Sequence, residues 1–273
     1  MLFSIIIVNY RTPELAAAGL RSIFKHCAGD SYEIIVIDNN SADGSVELLE
    51  KEFGSKIKLI KNSQNLGFAR ANNQGARVAG GEHLLFLNSD TLLTADILTP
   101  AAKLFFADES IGIISPRLLS PSGTPQNGAY GKFPTLAGLI AQTNKREMPI
   151  ADGAKILGID WVSGCALMIR HDLFKKIGGW DEKFFLYFED VDLCRRVWQE
   201  NKKVIVDLRL SLIHFGGRSL KKNNDRRRYY YRAQDYYFKK HYGALAAVIM
   251  KIIRWPYKIW GLIKRTASAE PNI

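Results

Sequence analysis

Leu84-Leu85-Phe86-Leu87-Asn88-Ser89-Asp90 runs from four apolar side chains straight into three polar ones. A short apolar run bounded by polar residues fits a strand buried on both faces, as in a sheet covered by helices. The same pattern holds at Phe3 to Asn9, Tyr32 to Asp38, Ile57 to Ile60 and Ile111 to Ser115, several of them rich in Ile and Val. The gaps, Pro13 to His26, Ser45 to Phe53, Ala69 to Ala79 and Ala95 to Ala107, read as helices, the first with Thr12 placed as N-cap and Pro13 at its first position. Strand and helix in alternation predict an α/β fold with a mainly parallel sheet flanked by helices. Such a sheet binds ligands at the carboxyl ends of its strands, here Asn9, Asp38 and Asn88 to Asp90.

Beyond residue 116 the alternation stops. Ser120 to Asp152 is rich in Gly, Pro, Ser and Thr and predicts a long loop or cover, with acceptor binding one use for it. Trp161 to Ile169 reads as a strand, Asp172 to Ile177 and Glu189 to Glu200 as helices, and Val204 to Asp207 with Leu210 to His214 as closing strands of one domain, residues 1–219. Of 273 residues, 47% are hydrophobic, which excludes a disordered chain. Cys27, Cys165 and Cys194 stand apart from one another, which argues against a zinc or disulfide framework and for reduced core residues. The apolar start Met1-Leu2-Phe3 lacks a basic leader, so the expected location is cytoplasmic.

Each polar cluster admits a catalytic and a structural reading. Asp38-Asn39-Asn40-Ser41 offers a carboxylate for the imide N–H of a pyrimidine and amides for a ribose, or else turn residues before a helix. Asn65-Leu66-Gly67-Phe68-Ala69-Arg70 sets a guanidinium at a helix start, suited to phosphate or to an exposed polar face. Asn88, Ser89 and Asp90 offer hard oxygen ligands to Mg²⁺ or Mn²⁺, or an N-cap. Glu189 and Asp190 follow an aromatic stretch, where apolar walls and a second acid raise proton affinity as a general base needs; first-turn acids also serve the helix dipole. His214 ends a strand, placed to join Asp90 at a metal or to act as a hydrogen-bonded structural residue.

In order, Ile5 to Tyr10, Asp38 to Ser41, Asn65 to Asn73, Leu87 to Asp90, Val162 to Arg170 and Phe185 to Cys194 closely resemble the inverting glycosyltransferases of family 2, over residues 3 to about 219. Within that family the chain is most similar to bacterial rhamnosyltransferases that build O-antigen, capsule or cell-wall polysaccharide. The resemblance implies a GT-A (Rossmann-like) fold, a divalent metal (Mg²⁺ or Mn²⁺), a nucleotide-diphosphate sugar such as dTDP-rhamnose, and a glycan or polyprenyl-linked acceptor. It implies Asp190 as general base with Glu189 beside it, and Asn9, Asp38, Asn40, Arg70, Asn88, Ser89 and Asp90 at the donor. Asp90 and His214 fall at the metal. Where the family often has Asp-x-Asp, this chain has Asn88, one carboxylate fewer. A sugar nucleotidyltransferase is the enzymatic alternative, though no glycine-rich pyrophosphorylase signature stands near the amino terminus. A catalytically silent sugar-nucleotide or lipid-binding module is the other.

The net charge of +11 is polarised. Residues 1–194 carry 19 Lys+Arg against 22 Asp+Glu, and residues 195–273 carry 19 against 5. The tail, residues 220–273, mixes cations with aromatics and then turns apolar from Leu245 to Ile263, interrupted by Lys251, Arg254, Pro256 and Lys258. That pattern predicts a basic helical extension lying on an anionic membrane surface, with Trp255, Tyr257 and Trp260 at headgroup level, peripheral to the inner face of the cytoplasmic membrane. Three charges and a proline argue against a membrane span, terminal helices packed on the domain are the other reading, and no nucleic-acid module accompanies the charge.

Overall fold

The computed structural model describes residues 2–27, 32–140, 153, 155–216 and 223–267. Strands β1 (Phe3–Asn9), β2 (Tyr32–Asp38), β3 (Lys58–Lys61) and β4 (His83–Asn88) alternate with helices α1 (Pro13–His26), α2 (Ser45–Phe53) and α3 (Phe68–Val78). They pair in parallel in the order β3-β2-β1-β4. Successive side chains on these strands enter opposite cores. Ile5, Ile7, Val36 and Leu85 pack with α1 and α2, while Ile6, Ile35, Ile37 and Phe86 pack with α3 and the later helices.

Past β4 the sheet is mixed, which corrects the mainly parallel expectation. β10 (Ala166–Arg170) lies antiparallel between β4 and β6 (Ile111–Leu119). β11 (Lys203–His214) runs parallel to β6 and antiparallel to both β5 (Thr91–Leu93) and β8 (Ile156–Ile159). Between β6 and β8 the described residues form β7 (Tyr130–Gly131) and the five-residue α5 (Leu136–Ile140).

Other expectations change in detail. Trp161 to Ile169 is two strands: β9 (Trp161–Val162) pairs with β7, and a turn at 163–165 separates it from β10. The two closing strands are one, β11, with a register shift between Asp207 and Ser211. β5 follows Asp90, so neither Ser89 nor Asp90 caps a helix there. α4 (Leu98–Ala107) instead starts where Asp96 accepts the Leu98 and Thr99 N–H groups. Thr12 occupies the N-cap position of α1, but its hydroxyl turns away from the helix to Asn9. α6 (His171–Lys176) and α7 (Glu189–Gln199) lie where the sequence puts them, within a residue.

The tail folds into α8 (Asn223–Tyr242) and α9 (Ala244–Ala267), which turn at Gly243 (φ 90°). Ala233, Tyr237, Phe238, Ala246 and Met250 share a core with Phe184, Phe188 and Val191. Ion pairs lock that contact. Buried Asp192 meets Arg196 at 2.8 Å, Lys240 at 2.7 Å and His241 at 2.7 Å, and Asp181 meets Lys240 at 2.7 Å. Arg254 of α9 bonds the Tyr231 carbonyl, Gln234 and Asp235 of α8. Part of the tail's positive charge is thus matched by carboxylates within the chain. The boundary at residues 219 and 220, and the side chains of Tyr257 and Trp260, lie outside the described residues.

Candidate active site

At the carboxyl edge, the ends of β1, β2 and β4 carry a connected polar web. The Asn9 amide donates to Asp38 Oδ1 at 2.9 Å and to Ser41 Oγ at 3.1 Å. Ser41 donates its own hydroxyl to Asp38 Oδ1 at 2.5 Å and its N–H to Oδ2 at 3.0 Å. On the other side of Asn9, Oδ1 accepts the Thr12 hydroxyl at 2.9 Å, and Thr12 Oγ1 lies 2.8 Å from Ser89 Oγ. All five residues are buried. A carboxylate has about four acceptor positions, so three bonds orient Asp38 and leave one lone pair on Oδ2 for a ligand donor.

Asn39, one residue further, accepts the Leu66 N–H and the Asn62 amide, and donates to Asn65. Asn40 is exposed in left-handed backbone (φ 64°), which lifts its side chain clear of this web. Gly67 opens α3 at φ 82°, where a Cβ would stand 2.7 Å from the Phe185 ring and carbonyl. Only glycine fits there. Arg70 is half-exposed and pairs with Glu182 at 3.0 Å, so its guanidinium lies against the 181–182 loop.

Asp90 and His214 meet as the sequence suggested. His214 Nε2 lies 3.3 Å from Asp90 Oδ1, Nδ1 contacts Gln126 at 2.8 Å, and the Phe215 N–H bonds the Asp90 carbonyl at 2.9 Å. Burial alone would lower the basicity of the ring. Asp90 and Cys165 beside it more than offset this and push its pKa up to about 10. One carboxylate and one imidazole leave most positions of a six-coordinate cation open, and among the described residues no group of three or more His, Cys, Asp or Glu could hold a metal. Mg²⁺ usually binds in such company, through one or two carboxylates plus substrate phosphates and water. The residues therefore fit a cation shared with a diphosphate rather than a closed protein cage.

Glu189 and Asp190 open α7 behind Tyr187 and Phe188, two non-glycine residues in left-handed backbone (φ 73° and 65°). Such strain persists only where packing over-determines it. Here Tyr230 of α8 packs on both rings and Tyr229 stacks on Phe185 at 4.7 Å. Burial raises the proton affinity of both acids, and the adjacent Asp190 charge raises that of Glu189 further. The N–H groups of Gly164, at 3.1 Å, and Val191, at 2.8 Å, hold Asp190 and oppose its rise.

The turn at 163–165 joins the two groups of acids. Gly164 donates to Asp190 from it, and the Cys165 carbonyl accepts the Asn88 N–H at 2.9 Å. Sequence reasoning missed this turn, and with it Thr12, Gln126 and Asp192. Gln126 carries no local signal, since its contact with His214 spans 88 residues.

A curved, mixed sheet covered on both faces by helices, with acids at its carboxyl edge, is a GT-A-like architecture. The chain belongs to glycosyl transferase family 2, matching it over residues 4–178. The low-salt glycan biosynthesis hexosyltransferase Agl10 of Haloferax volcanii is 30% identical over 206 residues, 72% of this chain and 62% of that protein. This chain thus spans less than two thirds of that relative's length. Rhamnosyltransferase WbbL of Escherichia coli is 26% identical over 181 residues, 62% of this chain and 67% of the relative. The mannosyltransferase PcManGT of Pyrobaculum calidifontis, solved with GDP-Man and Mn²⁺, superposes with a TM-score of 0.63 at 17% identity, over 99% of this chain and 76% of that one.

Proposed function

We propose that this chain transfers a sugar, with inversion, from a nucleotide diphosphate to a hydroxyl of a lipid-linked surface glycan. The observation that carries the reading is the 163–165 turn, which ties Asp190 to the strand end holding Asp90. An inverting transfer needs a base on one face of the sugar and charge stabilisation on the other. Asp190 takes the proton of the acceptor hydroxyl, whose oxygen bonds to the anomeric carbon as the bond to the diphosphate breaks. Asp38 orients the nucleobase through its remaining lone pair, with Asn9 and Ser89 fixing the edge and Asn88, Asn40 and Arg70 placed about the rest of the nucleotide. Asp90 and His214 would hold Mg²⁺ or Mn²⁺, which neutralises charge on the departing diphosphate. The relative named as a rhamnosyltransferase makes dTDP-rhamnose the first donor to try.

We place the enzyme on the inner face of the cytoplasmic membrane. Among the described residues no helix is long and apolar enough to cross a membrane. Leu245, Val248, Ile252 and Trp255 instead recur at three- and four-residue intervals along α9 and are 73%, 51%, 64% and 66% exposed. An apolar helical stripe in a strongly basic tail suits an anionic bilayer surface. Vesicle flotation tests this: the protein should float with phosphatidylglycerol vesicles, and Val248→Glu with Ile252→Glu should release it. Unchanged flotation of the double variant would remove the stripe from the reading.

Release of nucleotide diphosphate from a panel of thymidine- and uridine-diphosphate sugars, with Mg²⁺ or Mn²⁺, tests the chemistry. Asp90→Ala should lower turnover by about 10²-fold or more. Pyrophosphate release would favour a nucleotidyltransferase. Tight donor binding without turnover, even with a cell-derived lipid acceptor, would favour a silent binding module.

A further inference from the structure

A cleft of about 380 Å³, bounded by α3, the 177–182 loop, α7 and α8, takes no part in the transfer chemistry. Small-molecule sites span about 300 to 1,000 Å³, so this volume has room for a sugar ring. Trp180 belongs to both regions: it lines the cleft, and its ring atom Cη2 stands 3.4 Å from where a Cβ on Gly164 would lie, in the turn that holds Asp190. Arg196, which also lines the cleft, follows Asp190 by six residues on α7, roughly 9 Å along the helix.

The walls lack hydrogen-bond partners in both senses. Arg196 spends Nε on Asp192 at 2.8 Å and Nη1 on the Ile177 and Gly179 carbonyls at 2.7 Å each, while its Nη2 is buried with no partner among the described residues. The Trp180 Nε1–H is likewise buried and unpaired, in a side chain 1% exposed. Buried donors of this kind call for an oxygen that the chain does not supply. Acceptors are in surplus as well. Asp181 takes the Lys183 N–H at 3.0 Å, the Tyr236 hydroxyl at 2.8 Å and Lys240 at 2.7 Å; Glu182 takes the Asn73 amide at 3.1 Å and Arg70 at 3.0 Å. With about four acceptor positions on each carboxylate, roughly one stays open on Asp181 and two on Glu182.

Charge narrows the class of ligand. Two cations, Arg196 and Lys240, and two carboxylates, Asp181 and Glu182, line the same cleft, so an anion or a cation meets a like charge wherever it sits. A hydroxyl both donates and accepts, and serves the unpaired N–H groups and the open carboxylate positions without a charge of its own. A Cβ on Gly178 would meet no atom within 4 Å, so one wall is bare backbone against which the C–H face of a ring can lie. We propose that this cleft binds a neutral sugar residue of the glycan, apart from the donor sugar and from the residue that reacts. The assignment rests on the transferase reading for the role of that glycan as acceptor.

The test uses the full chain with its donor site filled by saturating nucleotide diphosphate and Mg²⁺. Methyl α-L-rhamnoside, methyl α-D-mannoside and inorganic phosphate are titrated separately by saturation-transfer NMR. At least one glycoside should bind, and phosphate should not displace it. Ile177 is half-buried and lines the cleft, so Ile177→Trp fills it without removing a side-chain bond and should abolish glycoside binding. Arg196→Lys keeps the charge beside Asp192, loses Nη2, and should weaken the glycoside roughly ten-fold, the range of one lost charged hydrogen bond; it reads the same point if the tryptophan variant fails to fold. Nucleotide affinity should stay at the wild-type value in both. Absence of glycoside binding, or binding at wild-type strength in Ile177→Trp, overturns the assignment. Displacement of the glycoside by phosphate makes the cleft an anion site and overturns the sugar class. Donor turnover on the same samples separates the two readings: turnover without glycoside binding defeats only this site, and glycoside binding that Ile177→Trp abolishes, without turnover, keeps the site and defeats the transferase.

Discussion

On the proposed donor side, Asn9, Asp38 and Ser89 stand at the ends of neighbouring strands and are joined through Ser41 and Thr12 by side-chain bonds of 2.5 to 3.1 Å. On the proposed acceptor side, Glu189 and Asp190 begin a helix whose entry is strained and whose position depends on α8, far later in the chain. The first half is fixed by the sheet ladder, so its geometry is inherited from the core. The second is fixed by an aromatic clamp and a buried charge cluster, so it depends on the tail staying docked. The halves touch where the Phe68 N–H bonds the Phe185 carbonyl at 2.8 Å. A tail that reads in sequence as a membrane device also packs, in the structure, on the loop that leads into Glu189 and Asp190.

The strongest way to separate the halves is to disable the base alone. Asp190→Asn keeps the shape and the Gly164 contact but cannot accept a proton. Turnover should fall about 10²- to 10⁴-fold, while nucleotide diphosphate affinity, measured by thermal shift, stays at the wild-type value. A matching fall in nucleotide affinity would mean that Asp190 belongs to the donor half.

Removing the clasp comes next. Asp192 is fully buried, and burial alone would raise its pKa, but His241, Arg196 and Lys240 hold its carboxyl below the ordinary aspartate range. A depressed carboxylate contributes stability that is complete above its unfolded value, about 3.9, and is lost as pH falls through the folded value. Asp192→Asn removes the counter-charge of Arg196 and one of the two carboxylates that hold Lys240, and should cost about 3 kcal/mol. In melting curves across pH 3 to 7, the variant should lie below wild type at neutral pH and converge on it in acid. A constant gap across that range would show that the charge is not what matters. Turnover should fall with the clasp while nucleotide binding persists.

This asymmetry also explains what could be read in advance. Strand ends are local features, so Asn9, Asp38, Asn88 and Asp90 were legible from apolar runs that stop in polar residues, and His214 from the end of the last one. The parallel half of the sheet was legible for the same reason. The antiparallel direction of β10 was not, because an apolar run marks a strand but not which way it runs in the sheet. The partners of the acids escaped too. Gln126 finds His214, and Lys240 and His241 find Asp192, only after the chain has folded. A basic tail looks the same in sequence whether its cations face lipid or buried carboxylates.

The smallest expected effect sharpens the comparison most. Thr12 is buried and its hydroxyl is the link between Asn9 and Ser89, so Thr12→Val removes one bond from the donor web at nearly constant volume. Leaving Asn9 Oδ1 and Ser89 without that partner should cost about 1 to 2 kcal/mol of stability, visible as a lowered melting temperature. Because Asn9 also orients Asp38, the loss should pass along the web and weaken nucleotide affinity a few-fold. It should stop there. Among the described residues no bond of the web reaches α8, so turnover at saturating donor should match wild type. If saturating turnover fell together with nucleotide affinity, the two halves would be one cooperative unit coupled through the 163–165 turn and the Phe68–Phe185 bond, and the division between a sheet-held side and a tail-held side would fail.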